Sequence, residues 1–440
     1  MKLVNLSILG MSVALTAGML AGCGSNTTTG GTTSSVSSVA EKAESPTNSR
    51  SGKESSKGKT EITVWHYFST EGSANHFQEY VDEFNNQSDT THVNVTVLPF
   101  ADFKKQLTVS ASASALPDLA MIDNCDTVSY AAMGILEDIT SEVQNWDSYK
   151  NYFPEILNTC KYEGKVYGMP MESNNLEIIY NKDIFDELGV DYPTDDWTFD
   201  DLKELAKKTT TDKYKGFAIS GVQSEESTYQ FLPFFWTAGG ETMKLDSESG
   251  NTALSLWTEL MNNGYMPKDC ISWTQSELAS QFESGNIAMH VMGCWNITPY
   301  KDHNINYGVV EIPSATEGGK KATVYGGENL CVIKGKNTAN ALEFLKWFEE
   351  YDRISKWDKL IDHFTASEKS MKDESFQTPE MKPFIDMVPN SRARDVVTYW
   401  PSVSEGYQQA IQEALSGQQD VESALKDGQK MIDDAIASAS

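Results

Sequence analysis

From residue 61 onward the chain switches between two hydrophobic rhythms. EITVWHYF opens with Ile62, Val64 and Trp65 in an apolar run, which predicts a strand. ANHFQEYVDEFNNQ then sets Phe77, Tyr80, Val81 and Phe84 at i, i+3, i+4 and i+7, one face of a helix. HVNVTVLPF returns to alternation with Val93, Val95 and Val97, as in a half-buried strand. Strand, helix and strand in so short a span predict a βαβ unit, and so a parallel sheet.

The pattern continues through PDLAMID, a strand, and TVSYAAMGILEDIT, a helix ending near Gly134. YEGKVYGMPMESNNLEIIYNKDIFDELGV reads as a short hairpin, then a strand leading into a helix. The two parts meet at Met169-Pro170-Met171, with Glu172, Asn174 and Asn175 at the junction. In WTFDDLKELAKK, Thr198 and Asp201 form a capping box ahead of the apolar stripe of Leu202, Leu205 and Ala206. YQFLPFFWTAGGE is an apolar helix closed by Gly239-Gly240. A further helix, a helix-turn-strand through MHVMGCWN, and the strand INYGVVEIP follow. YGGENLCVIKG predicts a turn feeding a strand, and NTANALEFLKWFEEYDRISKWDKL one long helix. The tail reads as two helices broken at Gly417. No internal repeat of solenoid length occurs, and the class is α/β.

The first 60 residues differ in kind. Lys2 precedes an uncharged apolar run and then Leu20-Ala21-Gly22-Cys23, an export signal too short for a stable span. Those small residues before Cys23 resemble the bacterial lipoprotein box, which implies lipidation of the Cys23 thiol and a mature chain starting there. Residues 24–60 are rich in Ser, Thr, Gly and Lys without aromatics, the composition of a flexible spacer. Of 35 basic and 63 acidic residues, six and three precede residue 61, leaving 29 against 60. A body so acidic repels nucleic acid and anionic lipid. Beyond Cys23, five cysteines remain (Cys125, Cys160, Cys270, Cys294 and Cys331), with no metal or CxxC spacing. Buried free thiols are the expectation, although an exported chain could form one bridge.

The collinear series YEGKVYGMPMESNNLEIIYNKDIFDELGV, WTFDDLKELAKK, FESGNIAMHVMGCWNI, YGVVEIP, GGENLCVIKG and ALSGQQDVESALKDGQKMID resembles bacterial extracellular solute-binding proteins of the sugar-binding family. That family includes maltose-binding protein, and the resemblance spans essentially all of 61–440. It implies a two-lobe periplasmic-binding-protein-like fold with hinge strands and an interlobe cleft that closes on ligand. Lobe 1 would take 61–168 plus 326–370, and lobe 2 169–325 plus 371–440. It also implies a monomer that hands its solute to membrane permease subunits of an ABC transporter, without catalysis or cofactor.

A neutral saccharide offers hydroxyls and weakly apolar ring faces, so its site needs aromatic rings with carboxylates and amides beside them. On the family's loops, Tyr67 and Glu71 follow the first strand, with Trp65 and His66 read as packing residues. Asp123 and Asn124 end another strand, with Asp126 as an alternative; Asn174 lies at the crossover, with Glu172 and Asn175 as alternatives. Trp295 in MGCWN falls on the family's cleft tryptophan, and Glu328 follows two glycines that bring backbone close to ligand. Tyr229 and Trp236 flank the apolar helix, and Tyr399 and Trp400 precede Pro401, where the family presents aromatics. The body holds three arginines, Arg353, Arg392 and Arg394, which favours an uncharged ligand while leaving a uronic acid open.

Two other functions compete. An extracellular glycoside hydrolase would need a carboxylate pair, and 60 acids make close pairs inevitable. A binder of another solute, such as a peptide or polyamine, could use the acidity and the rings. The histidines show no ligand-pair spacing, which argues against a metal site.

Overall fold

The computed structural model describes residues 58–68, 71–364 and 367–439. The expected export signal, Cys23 and the spacer as far as residue 57 lie outside them. The described residues fall in one compact unit. Strands fall at β1 (Thr60–His66), β2 (Thr91–Val97), β3 (Leu119–Asp123), β4 (Lys161–Tyr162), β5 (Lys165–Val166) and β6 (Gly168–Pro170). They continue at β7 (Asn174–Asn181), β8 (Met289–Gly293), β9 (Tyr307–Val310), β10 (Thr323–Gly326), β11 (Glu328–Val332) and β12 (Ser391–Ala393).

Two sheets carry the molecule. One runs β2-β1-β3-β11-β6, the other β12-β10-β7-β8 with β9 also on β7, and β4–β5 is the short hairpin. The βαβ expectation holds: β1 and β2 pair in parallel with Ile62 opposite Val93. The intervening helix Glu71–Gln87 buries Phe77, Tyr80, Val81 and Phe84 against them. The parallel character stops at β3, because β11 and β6 are antiparallel to their neighbours. Both arrive from or depart to the other sheet, so no helical crossover dictates their direction.

The chain passes between sheets at Pro170–Asn174, from β6 to β7, and at Gly326–Glu328, from β10 to β11. A third strip joins them where Ser173 and Phe364 exchange two backbone hydrogen bonds of 3.1 Å. The stretch YGGEN, expected as a turn, is therefore a crossing between strands of different sheets. Gly327 sits there at φ +134°, and a Cβ on it would lie 2.4 Å from the Glu172 carbonyl oxygen. Gly327→Ala is expected to cost about 1–3 kcal/mol in backbone strain alone, read as a lower urea midpoint.

Local signals elsewhere set the helices. Thr198 and Asp201 make the capping box of helix Phe199–Thr209, and Gly417 ends helix Trp400–Ser416 in the left-handed region at φ 73°. The expected long helix after residue 337 is instead two, Thr338–Phe348 and Tyr351–Leu360. Buried Phe344, Leu345 and Phe348 are followed only at Ile354 and Trp357, so the apolar phase breaks between them. Arg353 donates to the Trp347 carbonyl and lies 3.8 Å over the Trp347 ring, closing the first helix. Glu349, at the break, is buried and accepts from the Tyr152 hydroxyl at 2.9 Å. All five described cysteines are buried and unpaired. Among the described residues no helix is long and apolar enough to cross a membrane.

Candidate functional site

A cleft of about 600 Å³ opens between the two sheets. Tyr67, Phe68 and Asp123 reach it from the ends of β1 and β3, where α/β sheets commonly present ligand contacts. Asn174, Tyr229 and Trp295 face it from the second sheet and its helix Glu225–Thr237. Glu328 enters from the Gly326–Glu328 crossing, and His363 from the third strip. The aromatic platform is Trp295, part-exposed, whose ring lies flat enough on Gly293 that a Cβ there would meet it at 1.8 Å. His363 stacks behind it at 6.2 Å and 21°.

Arg394, just after β12, spans the two sheets while 3 % exposed. It grips both carboxylate oxygens of Asp123, donates to Asn124 Oδ1 at 2.9 Å and to Glu225 Oε1 at 2.9 Å. Its guanidinium lies 4.8 Å over the Tyr229 ring. Burial disfavours its charge, but Asp123, Cys125 and Glu225 together hold it protonated, above its ordinary range. Asp123, Cys125 and Glu225 bring three potential metal-ligand atoms within 4.8 Å of one another. Arg394 already supplies the cation to the two acids, so the group reads as an ion-pair network. Behind it, Asp126 pairs with Lys104 at 2.6 Å, and burial raises its carboxyl to about 6.

Glu172 ties the crossings together. It accepts from the Glu328 amide at 2.9 Å and from Asn174 Nδ2 at 3.4 Å, and lies 3.3 Å from His363 Nε2. Burial lowers His363 to about 4. The Tyr229 hydroxyl donates to Asn174 Oδ1 at 2.6 Å, and the Tyr67 hydroxyl to Glu328 Oε1 at 3.2 Å. Gly326 permits this convergence, since a Cβ on it would lie 2.1 Å from the Tyr229 oxygen.

This is a polar slot with rings on its walls and carboxylates, amides and hydroxyls between them. Its chain segment from residue 79 to 383 matches the family model described as bacterial extracellular solute-binding protein. The chain belongs to that family. A solute-binding protein from Thermotoga lettingae, solved with α-D-tagatose, shares 22% identity at a TM-score of 0.79, covering 86% of this chain and 100% of that one. An ABC substrate-binding protein of Listeria monocytogenes, in complex with cycloalternan, shares 26% identity at a TM-score of 0.77, covering 86% and 99%. A maltooligosaccharide ABC transporter solute-binding lipoprotein of Streptococcus pneumoniae is 24% identical over 359 residues, 75% of this chain and 79% of its own. The two-lobe architecture of such solute-binding proteins is the fold of this chain.

Against that fold the sequence-derived positions sort plainly. Tyr67, Asp123, Asn174, Tyr229, Trp295 and Glu328 share the cleft wall. Asn124 does not line it; it supports Arg394 from behind. Trp236 lies outside the wall, buried, with Arg392 4.6 Å over its ring and its Nε1 donating to Thr242 at 3.3 Å. Trp400 is likewise fully buried, donating to Glu225 Oε1 at 3.0 Å. Both rings satisfy inward-facing polar partners, which removes them from the cleft. Glu71 begins its helix, but its side chain lies outside the described residues. His66 is buried between Phe68 and Phe77, the packing role expected of it. Glu225, Glu226, Phe68, Phe100 and His363 were not anticipated, yet all line the cleft. For Glu225 a signal existed: it stands one helical turn before Tyr229, on the same face.

Proposed function

We propose that this solute-binding protein captures a neutral mono- or oligosaccharide in the cleft and delivers it to the permease of an ABC importer. The reading rests on one arrangement: the Trp295, Tyr229 and Tyr67 rings share a slot with Asp123, Asn174 and Glu328. Rings cover the C–H faces of a pyranose, while acids and amides meet its hydroxyls. The sugars named for the Thermotoga, Listeria and Streptococcus relatives support the same class. Export through residues 1–22, lipidation at Cys23 and a tether over 23–60 would hold the protein as a monomer outside the cell. The streptococcal relative's description as a lipoprotein supports that anchoring. Lobe 1 is proposed as 61–168 plus 326–370 and lobe 2 as 169–325 plus 371–440, closing about the crossings. The protein alters no covalent bond in its solute.

A thermal-shift screen over a saccharide panel tests the reading. A saccharide at 100 times its dissociation constant is expected to stabilise the protein by about 2.7 kcal/mol. Absence of a shift with every saccharide sinks the proposal, and release of cleavage products would move it to the glycoside hydrolases. A second reading, a polyamine, is favoured by the excess of cleft carboxylates over Arg394, their one arginine partner among the described residues.

A further inference from the structure

Asp123 and Glu328 are directly opposite each other in the β3–β11 pairing, so two carboxylates stand side by side at the cleft floor. Like charges in that position repel unless a cation serves both. Arg394 serves only one. Its two terminal nitrogens are spent on Asp123, Asn124 and Glu225, and none reaches Glu328. The other groups facing Glu328 bring no positive charge. Tyr67 donates its hydroxyl to Oε1 from the end of β1, and Glu172 takes the Glu328 amide from the β6–β7 crossing. Tyr229 and Glu225 face the same cleft from lobe 2. Glu328 thus faces the Asp123 carboxylate across the strand pairing, with a guanidinium committed elsewhere and, among the described residues, no hydrogen-bond donor to its Oε2.

We infer that Glu328 stands in the empty cleft as a neutral carboxylic acid whose Oε2 proton is donated to an acceptor oxygen of the solute, making the cleft selective for hydroxyl- or ether-bearing ligands over ammonium-bearing ones. Burial, then the Asp123 charge, raises the Glu328 carboxyl to about 8, which outweighs the opposing pulls of Tyr67 and Arg394. An ammonium ligand would work the other way. It would draw the proton off Glu328 and bind the carboxylate, so its affinity would rise with pH where a saccharide's falls. The inference rests on the saccharide reading and narrows it to a stated donor.

The sign for stability follows from the same shift. The native state keeps a proton that the unfolded chain releases near 4.5, so the contribution is fully present below that pH and is lost as pH rises through about 8. Glu328→Gln keeps a donor and removes the titration.

The test measures maltotriose binding by calorimetry from pH 6 to 9.5 in wild type and in Glu328→Gln. Wild-type affinity is expected to fall roughly tenfold or more between neutral pH and 9.5, as the binding-competent fraction shrinks. In Glu328→Gln, whatever its affinity, that pH dependence disappears. An infrared difference spectrum between the two proteins at pH 7, without ligand, is expected to show a protonated-carboxyl band belonging to wild type. A carboxylate band in its place overturns the inference, whether or not maltotriose binds. Any putrescine affinity is expected to climb through pH 8 in wild type and not in Glu328→Gln; a putrescine affinity that stays flat across that range in wild type also overturns the inference. Failure of maltotriose and every other saccharide to bind, with the protonated band present, would instead retire the saccharide reading and leave the neutral acid standing.

Discussion

Arg394→Met is expected to destabilise the protein by about 3–5 kcal/mol, the largest loss from any single substitution at the cleft. The guanidinium is surrounded by Asp123, Asn124 and Glu225, and Glu225 is further held by Trp400. Methionine fills most of the volume, so the loss reports uncompensated charge rather than a cavity. Asp123 and Glu225 then remain buried as acids with no cation between them. Urea unfolding of the variant measures the loss. A triple variant with Asp123→Asn and Glu225→Gln should recover part of it, since the repelling charges go with their partner. A loss under about 1 kcal/mol would mean that the buried network has little role in joining the sheets.

The largest functional loss is expected from Trp295→Ala. The ring lies over Gly293 with His363 behind it, part-exposed to the cleft, so its removal takes away a ligand surface without opening the core. Saccharide affinity should drop by about 2 kcal/mol, roughly thirtyfold, while the urea midpoint stays close to wild type. Trp400→Phe makes the informative control, because its buried indole donates to Glu225 and touches no solute. Equal affinity losses in both variants would show that the rings act through the fold, not through stacking.

The two substitutions separate what holds the cleft from what the cleft holds. Arg394 and Glu172 are joints: one links helix Glu225–Thr237 to the end of β3, the other collects an amide, an amide side chain and an imidazole at the crossings. Trp295, Tyr229 and Glu328 are surfaces set on those joints. Gly326 and Gly327 serve both, because their missing side chains let Tyr229, Asn174 and Glu172 converge.

Local chemistry determined much of this protein from its sequence. The alternation in β2, the four-residue stripe of the first helix, the Thr198–Asp201 box and the Gly417 stop each depend on neighbours within a turn or two. The family resemblance, read together with residue type, marked Tyr67, Asp123, Asn174, Tyr229, Trp295 and Glu328, and the structure brings these six to one cleft wall. What only the tertiary structure decided is which apolar or charged side chain turns outward. Trp236 and Trp400 were candidates for the cleft alongside Trp295, but their indole nitrogens found buried partners in Thr242 and Glu225. Arg394 meets Glu225 and Asp123 across sequence separations of 169 and 271 residues. Such meetings follow from how two sheets are stacked and crossed, and no local period encodes them.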